Sequence, residues 1–251
     1  MLNQQFTQIT TEFWGAMCIA KKDLRIYYMQ PPVIMFGFVF PGFTYLAFTI
    51  GRSLDPILLL PGLAAITSFF AAGSIGPVVL PLERKTKTLE RLLGAPFSTL
   101  TIIIGKTLSG AAFGLTMSVA PLLVGLIFLR MTVASPSLLI ISMVLSALTF
   151  SAFGVFFATQ AEEITGAMMP MNLIRFPMLF ISGFFLPIEA MPGLLRPVAY
   201  LMPLTYAVDA FRQTVLGISQ PLMLWGDIAA LGLFLGLFLG TATRALQRDN
   251  R

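Results

Sequence analysis

MTVASPSLLIISMVLSALTFSAFGVFFATQA, residues 131–161, is a run of 31 residues without one charged side chain. About 20 apolar residues laid as a helix cross the hydrocarbon core of a bilayer, so this stretch spans a membrane with residues to spare. Three further uncharged runs, 26–51, 56–82 and 107–129, measure 26, 27 and 23 residues. The chain as a whole is 57% apolar and 11% charged, where soluble domains carry about 45–50% and about 25%. Its mean hydropathy is +0.86. The length of 251 residues suits one or two soluble domains, but the distribution of charge excludes them. The chain reads as a polytopic membrane protein.

Working outward from 131–161, the spans fall at 33–50, 57–80, 105–129, 137–160, 170–188 and 222–243. Pro41-Gly42 predicts a kink in the first. The fifth reaches back to 170 because the uncharged stretch 176–188 is too short alone, which places Arg175 at the membrane edge with its side chain snorkelling. Residues 1–30 lack the order of a secretory signal. Instead Phe6, Ile9, Phe13, Met17, Ala20, Leu24 and Tyr27 recur at spacings of three and four, the stripe of an amphipathic helix lying in the membrane interface. Residues 187–220 are apolar but punctuated by Pro187, Pro192, Pro197 and Pro203, so they predict short re-entrant pieces. Pro187 and Pro203 would fix the ends of an outer gate and Tyr206 its interface anchor.

Six spans put both termini on one side. Of the 16 Lys and Arg, 12 fall on that side and 4 on the other, which orients both termini in the cytoplasm of a cell membrane. The net charge of +5 is read as this topology signal rather than as nucleic-acid binding. The absence of His excludes His-based acid–base chemistry and His metal ligation, and the single Cys18 excludes an intrachain disulfide. Cys18 reads as a packing residue, and no metal site is visible. The spans offer no cluster of nucleophile and base for an intramembrane enzyme. They show neither the intramembrane charges nor the inverted repeats of an ion-coupled transporter or channel, which stands as the rival from another class.

The dense charge cluster is LPLERKTKTLERLLGAPFS, residues 80–98. Between Pro81 and Pro96 it predicts a short helix, with Glu83 and Lys87 as an i,i+4 pair and Arg84, Lys85 and Arg91 facing water or a partner. Residues 83–98, ERKTKTLERLLGAPFS, resemble the cytoplasmic coupling-helix motif of type-2 ATP-binding-cassette (ABC) transporter permeases. Residues 182–212, SGFFLPIEAMPGLLRPVAYLMPLTYAVDAFR, resemble the motif of the same family at the outer end of its last two spans. The resemblance implies an all-α membrane protein of six transmembrane helices. It adds an N-terminal interfacial helix (1–30), a coupling helix (83–93) and re-entrant outer helices (187–220). It further implies a permease working as a homodimer, or with a close paralogue, together with two copies of an ABC ATPase subunit that bind ATP and Mg. The substrate class implied is a drug, an antibiotic or a lipid-like molecule leaving the cytoplasm, or alternatively a lipid-linked polysaccharide. By position, Glu83, Arg84, Lys85, Lys87, Thr88, Leu89 and Glu90 would couple to the ATPase. Lys85 stands where the family has Glu and Lys87 where it has Gly, which implies a locally acidic ATPase surface.

The chain carries no motor of its own. Gly105-Lys106-Thr107 matches only the tail of a phosphate-binding loop, and position 100, where the first glycine belongs, is Leu. Thr67, Phe69, Phe70, Asn172, Met178 and Phe184 are candidates to line the substrate path. Gly232, Gly236 and Gly240 form two consecutive GxxxG steps that allow close helix packing, within the chain or across a dimer seam.

Overall fold

In the computed structural model, the described residues are 2–27, 56–185, 188–217 and 221–249, with positions 35, 39, 42, 43 and 46. The span expected at 33–50 and the gate residue Pro187 lie outside them, apart from those isolated positions. The described residues form helices and no strand: α1 (Leu2–Tyr27), α2 (Pro56–Lys85), α3 (Thr88–Leu93), α4 (Thr99–Phe128), α5 (Pro136–Thr159) and α6 (Ile164–Ile181). A single 3-10 turn (Ile188–Ala190), α7 (Leu195–Tyr200), α8 (Pro203–Leu216) and α9 (Pro221–Asp249) complete the order. Five of these helices are long and apolar enough to cross a membrane: α2, α4, α5, α6 and α9.

The centre of the bundle is α2, whose most apolar window is buried throughout. It carries Pro61, Pro77 and Pro81 and still runs without a break; neighbouring helices cover the backbone groups that proline frees, which is why such helices survive at membrane depth. Glycine brings its neighbours close. A Cβ added to Gly76 would stand 2.8 Å from the backbone nitrogen of Val155 on α5, and one on Gly154 would strike the carbonyl of Gly73. On α4, a Cβ at Gly114 would lie 2.6 Å from that of Ala72. Phe69, packed edge-on against Phe150 at 4.9 Å, fills the space beyond.

The glycines of α9 behave otherwise. A Cβ on Gly232, Gly236 or Gly240 meets nothing within 4 Å, so the two GxxxG steps do not pack the described chain against itself. Cys18, expected to pack, is exposed. On α1 the side turned to the bundle is the small one, Gly15, Ala16, Ile19 and Ala20, while Phe13, Trp14 and Met17 face outward. Ile19 closes on Gly105 of α4, where a Cβ would come within 2.8 Å of its own.

Two spans depart from expectation in register. α4 opens at Thr99, not 105, because Ser98 is its N-cap and accepts from the Thr101 amide at 3.2 Å. The Glu12 carboxylate of α1 doubles that cap, accepting from Ser98 Oγ at 2.9 Å and from the Thr101 hydroxyl; acidic oxygens suit the positive end of a helix. α6 occupies 164–181 rather than 170–188, which moves Arg175 from the membrane edge to the interior. It does not snorkel: its exposure is 0%.

Candidate functional site

The turn between α2 and α4 is built on a reversal at Lys87, whose φ of 56° and ψ of 16° lie in the left-handed region. The helix expected over 83–93 is therefore two pieces: the last turn of α2, ending at Lys85, and α3 from Thr88. Thr86 secures the joint, its hydroxyl donating to the Leu82 carbonyl at 3.0 Å and lying 2.9 Å from that of Thr88. α3 sits on the bundle through Leu89, which packs with Leu80, Ile103, Val155 and Leu246. Lys85, Lys87, Thr88, Glu90 and Arg91 are exposed. Arg84 is half-buried and donates from Nη2 to the Thr159 carbonyl at 2.9 Å, fastening this turn to the end of α5. Beside it, a cleft of about 610 Å³ runs between the end of α2 and the start of α6, lined by Arg84, Lys85, Glu162 and Glu163.

Glu83 does not pair with Lys87. With an exposure of 0% it points into the protein, where its carboxylate accepts from Lys22 of α1 and from Lys106 of α4. Asp23 completes the group, 2.9 Å from Lys22 and 3.4 Å from Lys106. Two acids and two lysines make a neutral, buried quartet that joins α1, α2 and α4. Burial drives the Asp23 carboxyl upward, Lys106 draws it back and the Glu83 charge pushes it up again; the outcome is above the ordinary aspartate range. Burial lowers the Lys22 ammonium, but the hydrogen bond to Glu83 and the Asp23 charge outweigh it and hold it above the usual lysine value of 10.5. A raised Lys22 binds its proton more tightly folded than unfolded. Its contribution is therefore complete below pH 10.5 and is lost as pH rises through the raised value. Docking of α1 should weaken on alkaline titration past pH 10.5, and Lys22→Met should flatten that part of the profile, read as Trp14 emission. An alkaline limb identical in Lys22→Met would remove Lys22 from the cause.

Neither Asp23 nor Lys106 stood out in the sequence as a partner of Glu83. The available signals were a lone lysine opening an apolar run and a lone aspartate among Lys21, Lys22 and Arg25.

The path candidates mostly lie in the core. Phe69 and Phe70 are fully buried, Thr67, Met178 and Phe184 nearly so, and Thr67 returns its hydroxyl to the Leu63 carbonyl at 2.8 Å. Asn172 borders an open groove of about 780 Å³ along α6. At the opposite end from α3, Pro203 occupies the first turn of α8 and Tyr206 donates to the Tyr200 carbonyl at 2.6 Å. Burial, then the Asp227 and Tyr200 charges, raise the Tyr206 hydroxyl above 10.0. Arg212 donates to the carbonyls of Gly183 and Phe184, at 2.9 and 3.0 Å, in the turn that follows α6. Asp209 and Asp227 share Gln213, at 3.0 and 3.1 Å.

Comparison with known proteins adds a family and several relatives. The model of the ABC-2 type transporter family matches residues 14–216. The chain is 25% identical over 180 residues to the inner membrane transport permease YadH of Escherichia coli (strain K12), a match covering 71% of this chain and 66% of YadH. It is 24% identical over 191 residues to the probable multidrug ABC transporter permease YbhR of the same strain, covering 76% and 52%. The probable multidrug ABC transporter permease YbhS of that strain is 24% identical over 186 residues, covering 71% and 49%. The chain thus spans between half and two thirds of the length of these relatives.

Proposed function

Because the chain belongs to the ABC-2 type transporter family, we propose that it is the permease of an ATP-driven exporter whose ATP and Mg are held by a separate ATPase subunit docking on α3. The observation that carries this is the pairing of an exposed, charged α3 with a buried neutral quartet directly behind it. Force on Lys85, Lys87, Thr88 and Glu90 reaches α1, α2 and α4 together through Glu83. Leu89 and Arg84 hold the turn to the bundle, so they transmit rather than touch the partner. Glu162 and Glu163 extend the docking surface across the cleft.

In this reading 33–50 supplies a sixth span, the outward aromatic face of α1 lies in the membrane interface, and both termini are cytoplasmic. Lys21, Lys22, Arg25, Arg84, Lys85, Lys87, Arg91, Lys106, Arg244 and Arg248 gather at the α3 end, which fits the excess of basic residues on cytoplasmic sides. Two permease copies and two ATPase copies assemble. The substrate is a hydrophobic or amphipathic molecule of the drug, antibiotic or lipid-like class, supported by the multidrug descriptions of YbhR and YbhS. Thr67, Phe69, Phe70, Asn172, Met178 and Phe184 become its path once α6 separates from α2, and the segment from 187 to Tyr206, with Pro203, gates release.

Co-expression with candidate ATPase subunits tests the coupling. Lys87→Glu with Glu90→Lys reverses both exposed charges without touching a packed atom. Co-purification of the ATPase should fall at least about ten-fold, the loss of roughly 1.4 kcal/mol or more, with insertion unchanged. Undiminished co-purification and transport would remove α3 as the docking element.

A further inference from the structure

Among the described residues, Arg175 is the one ionisable side chain near the middle of a span, about 17 Å along α6 from its first residue. Its guanidinium has five N–H donors. One meets Ser74 Oγ at 3.2 Å, one meets the Met171 sulfur at 3.5 Å, and Nε has no hydrogen-bond partner. Among the described residues no carboxylate is paired with it. The faces of Phe69 and Phe70 lie 5.2 and 4.9 Å away, and Gly73 leaves room where any Cβ would strike Nη2. Buried cations are ordinarily matched by an anion; this one is caged by two rings.

The cage has a thin wall. Phe70 packs on Phe176 at 6.0 Å, and Phe176 borders the groove along α6 together with Met169, Asn172 and Leu173. Asn172 Oδ1 is buried there without a partner. Two rings therefore separate an apolar groove from an unmatched guanidinium. We propose that groove and Arg175 form one site for an anionic amphiphile with a single apolar tail and a carboxylate or phosphate head. The tail lies along α6, and the head reaches Arg175 when Phe70 and Phe176 turn aside. Asn172 accepts from a hydroxyl of the head. A guanidinium matches both anions with paired hydrogen bonds. That the amphiphile is cargo rests on the permease reading; that it binds does not.

The experiment uses the full chain in phosphatidylcholine nanodiscs and a dodecyl phosphate bearing a diazirine in its tail. Adducts should map within 165–177. Unlabelled dodecyl phosphate should compete at least about ten-fold better than dodecyltrimethylammonium. Arg175→Gln should bring the two competitors together, and Arg175→Lys should keep the preference. Equal competition in the wild type overturns the proposal without any variant, as does a preference that survives Arg175→Gln. Phosphatidylglycerol that abolishes labelling would assign the groove to a resident lipid and overturn the cargo role. Leu173→Cys pairs that cross-link between copies and exclude the probe would assign it to a permease seam and overturn the site. ATPase co-purification, measured separately, reports on the permease reading alone.

Discussion

Gly154→Leu is expected to yield no folded protein. The added side chain begins where the Gly73 carbonyl stands, and three residues further along α2 a Cβ on Gly76 would lie 2.8 Å from the Val155 nitrogen. These are contacts of backbone on backbone, so no rotamer change relieves them. α2 and α5 would have to part, and the Phe69–Phe150 pair at 4.9 Å would part with them. Overpacking costs about 1–3 kcal/mol where side chains can yield; here they cannot, and the loss should approach the total stability of about 5–15 kcal/mol. Gly154→Ala should lower the melting temperature strongly. The control is Gly236→Ala, which meets open space and gains up to about 1 kcal/mol of helix propensity. Fluorescence melts in detergent compare the three, and a Gly154→Ala protein melting with the wild type would discredit the α2–α5 seam.

Glu83→Ala is expected to release α1. Lys106 is 2% exposed and Lys22 is half-buried, and both lose their common acceptor. Removing one member of a buried charged group costs about 3–5 kcal/mol, chiefly because the remaining charges stay buried. Trypsin should then cut at Lys21, Lys22 or Arg25 in the variant while sparing the wild type. Glu83→Leu combined with Lys106→Leu leaves Lys22 and Asp23 as a pair and should restore much of the protection. A cleavage pattern unmoved by Glu83→Ala would mean that the quartet does not hold the helix.

The long spans were legible because nothing but a membrane explains 27 or 31 consecutive uncharged residues. The charged exceptions misled. Treating Arg175 as a boundary shifted α6 by six residues at its start. The reason it is an interior residue, a pocket vacated by Gly73 and walled by two phenylalanines, exists only once α2 and α6 are side by side. The Glu83–Lys87 pair was a sound inference for a continuous helix, but Lys87 turns left-handed and ends the periodicity on which it depended. Glycine spacing misled in the same way. The regular steps at 232, 236 and 240 are open, while the tight contacts join 73 and 76 to 154 across separate helices, and no one-dimensional pattern displays that.

The buried quartet also orders events during synthesis. Asp23 lies 83 residues before Lys106, and at about 5–20 residues per second the ribosome needs roughly 4–17 s to make the second after the first. Throughout that interval α1 lacks its surface on α4, and Asp23 has Lys22 but not Lys106 to answer its charge. A helix able to rest on the bilayer by its aromatic face can wait out the delay; a helix written with the same bundle-facing residues and a polar back would be left to chaperones and proteases.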